Sequence, residues 1–175
     1  MNRRSQVLDS RTRRIATGAI LAMATLVLAA CTQPPAPTYE NGVCPGDSGV
    51  TVVVDFTADL NNQTVVRCAL GPQATGIKAL QNIGMPVNTN APNAFPGSVC
   101  TIKSLPTQGY PYCWSEGGFW GYWAAADQGS EWGFSPIGAG QGPLTEGSVI
   151  GFSWAQGFNS NPPRVAPDGS LPAAG

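Results

Sequence analysis

The tryptophans carry the clearest chemical signal in this chain. All five fall between residues 114 and 154, with Phe119, Tyr122, Phe134 and Phe152 among them and Tyr110 and Tyr112 just upstream. Within that stretch Phe119-Trp120-Gly121-Tyr122-Trp123 reads as a strand. Side chains on a strand alternate, so Trp120 and Tyr122 share one face while Phe119 and Trp123 share the other. A single short helix covers one such face, which leaves the second to meet another layer, a ligand or a partner. Trp and Tyr combine a large apolar body with a polar edge, the combination favoured at binding surfaces. Trp120, Tyr122, Trp123 and Trp132 are therefore the candidate ligand-binding residues, acting by stacking and apolar burial.

The missing residue types narrow the chemistry further. The chain has no His, which removes the commonest general base, the commonest zinc ligand and every Ser-His or Cys-His relay. Asp127, Glu131 and Glu146 lie near the aromatics, but dispersed acids in turn-rich segments read as solvated loop residues rather than a glycosidase pair. Neither Lys78 nor Lys103 closes a Ser-x-x-Lys motif. Residues 138–143, Gly-Ala-Gly-Gln-Gly-Pro, share only composition with a phosphate loop; they open no helix, end in Pro and read as a turn. The expectation is a binding protein, not an enzyme, with no catalytic residue, no metal and no built-in cofactor.

The five cysteines divide into one and four. Cys31 ends an apolar run, whereas Cys44, Cys68, Cys100 and Cys113 lie in the body of the chain. An even number in an exported domain of this size implies two disulfides, with three connectivities open; the most local is Cys44–Cys68 with Cys100–Cys113. A four-Cys zinc site lacks any Cys-x₂-Cys pair.

Export itself is read from the first thirty residues. Arg3, Arg4, Arg11, Arg13 and Arg14 precede an apolar run over residues 15–30, too short for a comfortable span of about 20. The run closes on Leu28-Ala29-Ala30-Cys31, which resembles a bacterial lipobox, so Cys31 is the expected lipidation site. Residues 1–30 are the expected signal peptide, and the export route, general or twin-arginine, stays open. Residues 31–42 form a Pro-rich spacer, 43–158 the folded domain and 159–175 a disordered Pro-rich tail. The domain would then sit on the extracytoplasmic side of the cell membrane, held by lipid.

Composition agrees with that placement. Only 11% of the residues are charged, and Gly and Pro contribute 22 and 16 positions. From Cys31 onward four basic side chains face nine acidic ones, a net charge near −5, with no basic patch for nucleic acid.

The elements that must position the aromatics follow from periodicity. Residues 50–56 form a β-branched strand, and residues 63–68 answer it across a polar turn as a hairpin. Thr75 caps a helix over residues 75–84 whose Ile77, Leu80 and Ile83 share a face, with Gly84 and Pro86 as its stop. Further strands are expected at 98–103, 119–125, 131–135 and 149–154. The fold class is α+β, one short helix on a mixed sheet of four to six strands.

The order of these pieces resembles the transcobalamin-like C-terminal domain, a small β-grasp-like module of bacterial surface proteins. The likeness runs over residues 50–154. It rests on the Val-rich opening strand, the helix beginning at Thr75, the strand after Gly97, the aromatic Trp120-Gly121-Tyr122-Trp123, and the close from Leu144 to Phe152. Ser148 stands where that pattern has Asp. The resemblance implies a small ligand, a corrinoid or another micronutrient, bound or delivered to an uptake transporter. The alternative is a non-enzymatic envelope module that binds protein or glycan through its aromatic face.

Overall fold

A computed structural model of the protein describes residues 36–90, 97–107, 117–157 and 159–171. The chain divides after Ala36 into two units, and the second, Pro37–Gly175, carries the fold. The expected signal peptide, Cys31, residues 31–35 of the spacer, Tyr110, Tyr112, Cys113 and Trp114 lie outside the described residues.

The elements in order are β1 (Tyr39–Asn41), β2 (Gly49–Asp55), α1 (Thr57–Leu60), β3 (Thr64–Leu70) and α2 (Gly76–Asn82). They continue with β4 (Val87–Asn88), β5 (Thr101–Ile102), β6 (Gly118–Ala125), β7 (Gly133–Phe134) and β8 (Val149–Gln156). The fold is α+β. A mixed six-stranded sheet runs β1-β3-β2-β8-β6-β7, and β4 pairs with β5 apart from it. Among the described residues there are two helices rather than the one expected.

Burial explains the centre of this order. Every residue of β2 is buried, as is β8 up to Ala155, and such two-sided burial suits a near-continuous run of Val and Ile. These two strands pair in parallel, Val52 opposite Ile150 and Val54 opposite Phe152. The β2–β3 hairpin forms with Asp55 opposite Thr64. Its connection is tighter than a simple polar turn: α1 is a single helical turn, with Thr57 and Asn62 at φ of 51° and 57°.

Helix α2 begins where the sequence places it. The Thr75 side chain accepts from the Lys78 N–H, and the Ile77 N–H donates to the Ala139 carbonyl. The 138–143 turn is thus tied to the helix start, one of whose donors it occupies. At the other end the Arg67 guanidinium donates to the Ile83 carbonyl at 2.6 Å. Ala79, Leu80 and Ile83 pack with Val50, Val52, Val54, Phe56, Trp120, Tyr122, Ile150, Phe152 and Trp154 in the main core.

Several expectations are corrected. The strand expected over 98–103 is only Thr101–Ile102, because Lys103 and Ser104, at φ of 49° and 62°, turn the chain back on itself. The Ile102 and Leu105 backbones exchange hydrogen bonds across that two-residue turn. The strand expected over 131–135 is only Gly133–Phe134. The spacer ends early, since β1 pairs with β3. The tail expected to be disordered is packed from 159 to 171, with Pro163, Val165 and Pro167 buried.

One disulfide, Cys44–Cys68, is described, not two; Cys100 is also disulfide-bonded, and the other expected participant, Cys113, is outside the described residues. The bridge closes a sequence separation of 24 residues. Replacing both Cys44 and Cys68 by Ala is expected to cost about 3.5 kcal/mol by the chain-entropy relation, measured by urea unfolding as a lower midpoint with a slope no smaller than the wild type's, because the unlinked unfolded chain exposes more surface.

Candidate functional site

Both faces of the aromatic strand are covered, so neither is the open platform anticipated from alternation alone. Trp120 is 6% exposed and Tyr122 8% exposed on the helix face. The Trp120 ring meets Phe56 and Trp154 edge-on, at centroid distances of 5.3 and 5.7 Å, and its Nε1–H points to the Leu105 carbonyl at 3.4 Å. Tyr122 stacks on Phe152 at 5.0 Å. Its hydroxyl lies against Gly76, where even a Cβ would come within 2.9 Å, so the first residue of α2 has to be small. Burial pushes the Tyr122 hydroxyl up to about 12, which keeps it protonated at neutral pH.

On the opposite face Trp123 is also buried, and its Nε1–H donates to the Ser153 hydroxyl at 3.0 Å. Trp132 is half-buried there; it lies over Gly151 and donates from Nε1 to the Val165 carbonyl at 2.9 Å. Trp132 is thus parted from Trp120 and Tyr122 by the thickness of the sheet.

Among the described residues part of β6 lacks a neighbouring strand on one side. Strand β7 reaches only Trp123 and Ala124, and no strand among the described residues continues it beside Gly118–Gly121. A cleft of about 380 Å³ opens there. It wraps around that edge: Phe119, Trp120 and Tyr122 line it from β6, Phe134 and Ile137 from β7 and the loop after it, and Val99 from the loop before β5. The cleft lies toward the lower end of the range of small-molecule sites, about 300–1,000 Å³, and fits one ring system or one face of a larger ligand.

Two features set this cleft apart. Among the described residues Phe134 is 56% exposed and Ile137 45% exposed, two of the three large hydrophobic side chains left in solvent. Both stand on this cleft, whereas scattered exposed apolar residues would need no explanation. Its lining also carries no ionic side chain. Polar character comes from Ser98, Ser135 and backbone; the Ser135 hydroxyl donates to the Ile137 carbonyl, which holds that part of the lining in shape.

Of the four residues singled out by the sequence, the structure brings Trp120 and Tyr122 to this cleft. Trp123 borders it through an edge-on contact with Phe134 at 5.2 Å, and Trp132 does not line it. Phe134 and Ile137 were missed. The signal was present in Phe134, an aromatic after Gly133 in a short polar-flanked segment, where burial is hard to achieve. The acids near the aromatics are exposed: Asp127 accepts from the Gly129 N–H and the Ser130 hydroxyl within its own turn, and Glu131 and Glu146 face solvent. No cluster of metal-ligating side chains occurs among the described residues. Comparison with known protein families, curated proteins and solved structures returned no match.

Proposed function

We propose that this protein is an extracytoplasmic, lipid-anchored binding protein whose β6-edge cleft takes an apolar portion of an uncharged ligand and presents that ligand to an uptake transporter. The observation that carries the reading is the pairing of an ion-free aromatic cleft with two exposed apolar side chains at its mouth. Such a lining rewards burial of an uncharged ring and penalises a charged ligand, which would lose its hydration without gaining a counter-charge. The lipobox-like Leu28-Ala29-Ala30-Cys31 supports the anchor.

The β-grasp-like and transcobalamin-like reading belongs to the same proposal. Its support is topological: the β2–β3 hairpin is followed by α2, and the last strand, β8, inserts in parallel beside β2 and between β2 and β6. A corrinoid or another micronutrient with an apolar ring face is the ligand class that follows from that resemblance. No catalytic role enters this reading.

The test is a thermal-shift panel of corrinoids and other vitamins on wild type and Phe134→Ala. One compound at 100-fold its Kd is expected to add about 2.7 kcal/mol to the wild type. Phe134→Ala should lose that gain while shifting the unliganded protein by no more than about 0.5 kcal/mol, as befits an exposed side chain. Equal stabilisation of both proteins would place the ligand elsewhere.

A second reading, an envelope module that binds protein or glycan, is favoured by one observation. The Ser135 N–H donates to the Tyr122 carbonyl, so by strand alternation the Gly118 and Trp120 backbone groups face the same open edge. An extended peptide could add there as a strand.

A further inference from the structure

The second face of the sheet is covered by residues 159–171 in the manner of a bound peptide. In this strap the described backbone–backbone hydrogen bonds are internal, Ala166 with Ser170 and Gly169 with Ala166; none joins it to a sheet strand. Recognition falls instead to side chains of the sheet and its flanking loop. The buried Ser153 hydroxyl donates to the Asn161 carbonyl at 2.5 Å, and Trp132 Nε1 donates to the Val165 carbonyl. Pro163 sits in a trough opened by Gly151, where a Cβ would lie 2.7 Å from the Pro163 ring, and Ser160 similarly fills the space above Gly121. Val165 packs with Val53, Ala125 and Val149.

One charged contact fixes the register. Asp55 is fully buried, and its carboxylate accepts from the Arg164 backbone N–H at 2.8 Å, from Nε at 3.0 Å and from Nη2 at 2.7 Å. The Thr57 N–H and the Thr64 hydroxyl complete its shell. The groove thus reads residues 161–165 through the Asn161 and Val165 carbonyls, the Pro163 ring, the Val165 side chain and the Arg164 guanidinium. Side-chain donors to carbonyls and a preformed Pro backbone are the means by which Pro-rich peptides are recognised.

We propose that this groove is an exchangeable peptide site and that two copies of the chain associate by swapping straps, each groove taking residues 159–171 of the other. In this sequence Pro-Pro-Arg occurs only at 162–164; the other Pro-Pro, at 34–35, is followed by Ala36 and offers nothing to Asp55. A second copy is therefore the source that carries the whole ligand. The strap leaves β8 through Gly157, at φ of 68°, whose N–H donates to the Gly117 carbonyl at 2.6 Å; exchange would have to re-form the turn after this residue. Exchange keeps every groove contact and changes only which copy supplies it. A short linker gives the strap an effective concentration near the millimolar range, so the closed monomer prevails in dilute solution.

The test mixes two full-length variants, Asp55→Ala and Arg164→Ala. Alone, each lacks the clamp within its own chain. In a mixed, exchanged pair the groove that keeps Asp55 receives the strap that keeps Arg164, and the other groove holds neither charge. An equimolar mixture at roughly millimolar concentration is expected to give a 1:1 heterodimer by native mass spectrometry. Arg164→Ala should melt higher in the mixture than alone. If either variant is unfolded by itself, co-refolding the two reads the same result, a folded heterodimer against continued unfolding. A mixture that keeps the separate monomers with unchanged melting overturns the proposal. So does a dimer that forms equally well from the double variant Asp55→Ala/Arg164→Ala, since that association would not use the clamp.

Discussion

Trp120→Ala is expected to lower the free energy of unfolding by about 3–5 kcal/mol, the range for emptying a buried aromatic site. The ring is held edge-on between Phe56 and Trp154, in the layer that joins β6 and β8 to the turn before α1. Trp154 belongs to β8 and Phe56 follows directly on β2, so neither can follow a shrunken side chain without moving the sheet, and a cavity remains. Against a total stability of about 5–15 kcal/mol, such a loss leaves a small domain marginal. Urea unfolding measures it; a midpoint within error of wild type would show that Trp120 is a surface residue of the cleft and not part of the core. The contrast with Phe134→Ala, where little stability should change, separates the lining that is core from the lining that is site.

Arg164→Ala is expected to cost about 3 kcal/mol, near the lower end for breaking a buried pair, because the Arg164 side chain is 44% exposed while that of Asp55 is fully buried. The same pair sets an acid dependence. Burial raises the Asp55 pKa, but the Arg164 side-chain and backbone hydrogen bonds, the Thr57 N–H and the Arg164 charge together outweigh it. The net result lies below the ordinary 3.8. A carboxylate whose folded pKa is depressed contributes stability that is present above its unfolded value and is lost as pH falls through the folded one. Stability should thus decline below about pH 4, and Asp55→Asn should flatten that acid limb while lowering stability at neutral pH. An acid limb of equal steepness in Asp55→Asn would assign it to other carboxylates.

Local signals were legible where the stabilising contacts are local. The Val run of β2, the hairpin to β3, the Thr75 cap and the face of Leu80 and Ile83 all follow from period and capping. The alternation that sets Trp120 and Tyr122 against Trp123 holds as well. What the sequence hid is the work of distant partners. The strap is Pro-rich and poor in large apolar residues, a composition that reads as unfolded. Its order comes from glycines at 121 and 151 and from an ion pair whose members stand 109 residues apart. Trp132 read as a ligand contact because Trp joins an apolar body to a polar edge; in the structure its indole N–H holds the strap. Phe134, though counted among the clustered aromatics, was not singled out because its strand is two residues long and has no usable period.

The most direct measurement of the cleft is the set of indole N–H resonances of ¹⁵N-labelled full-length protein, titrated with cyanocobalamin and with any vitamin that raises the melting temperature. Trp120 lines the cleft, whereas Trp132 lies under the strap on the far face of the sheet. The account predicts a saturable shift of the Trp120 indole signal that Phe134→Ala abolishes, with Trp132 unmoved. A saturable shift of Trp132 without Trp120, or no saturable shift of Trp120 with any of these compounds, would contradict it.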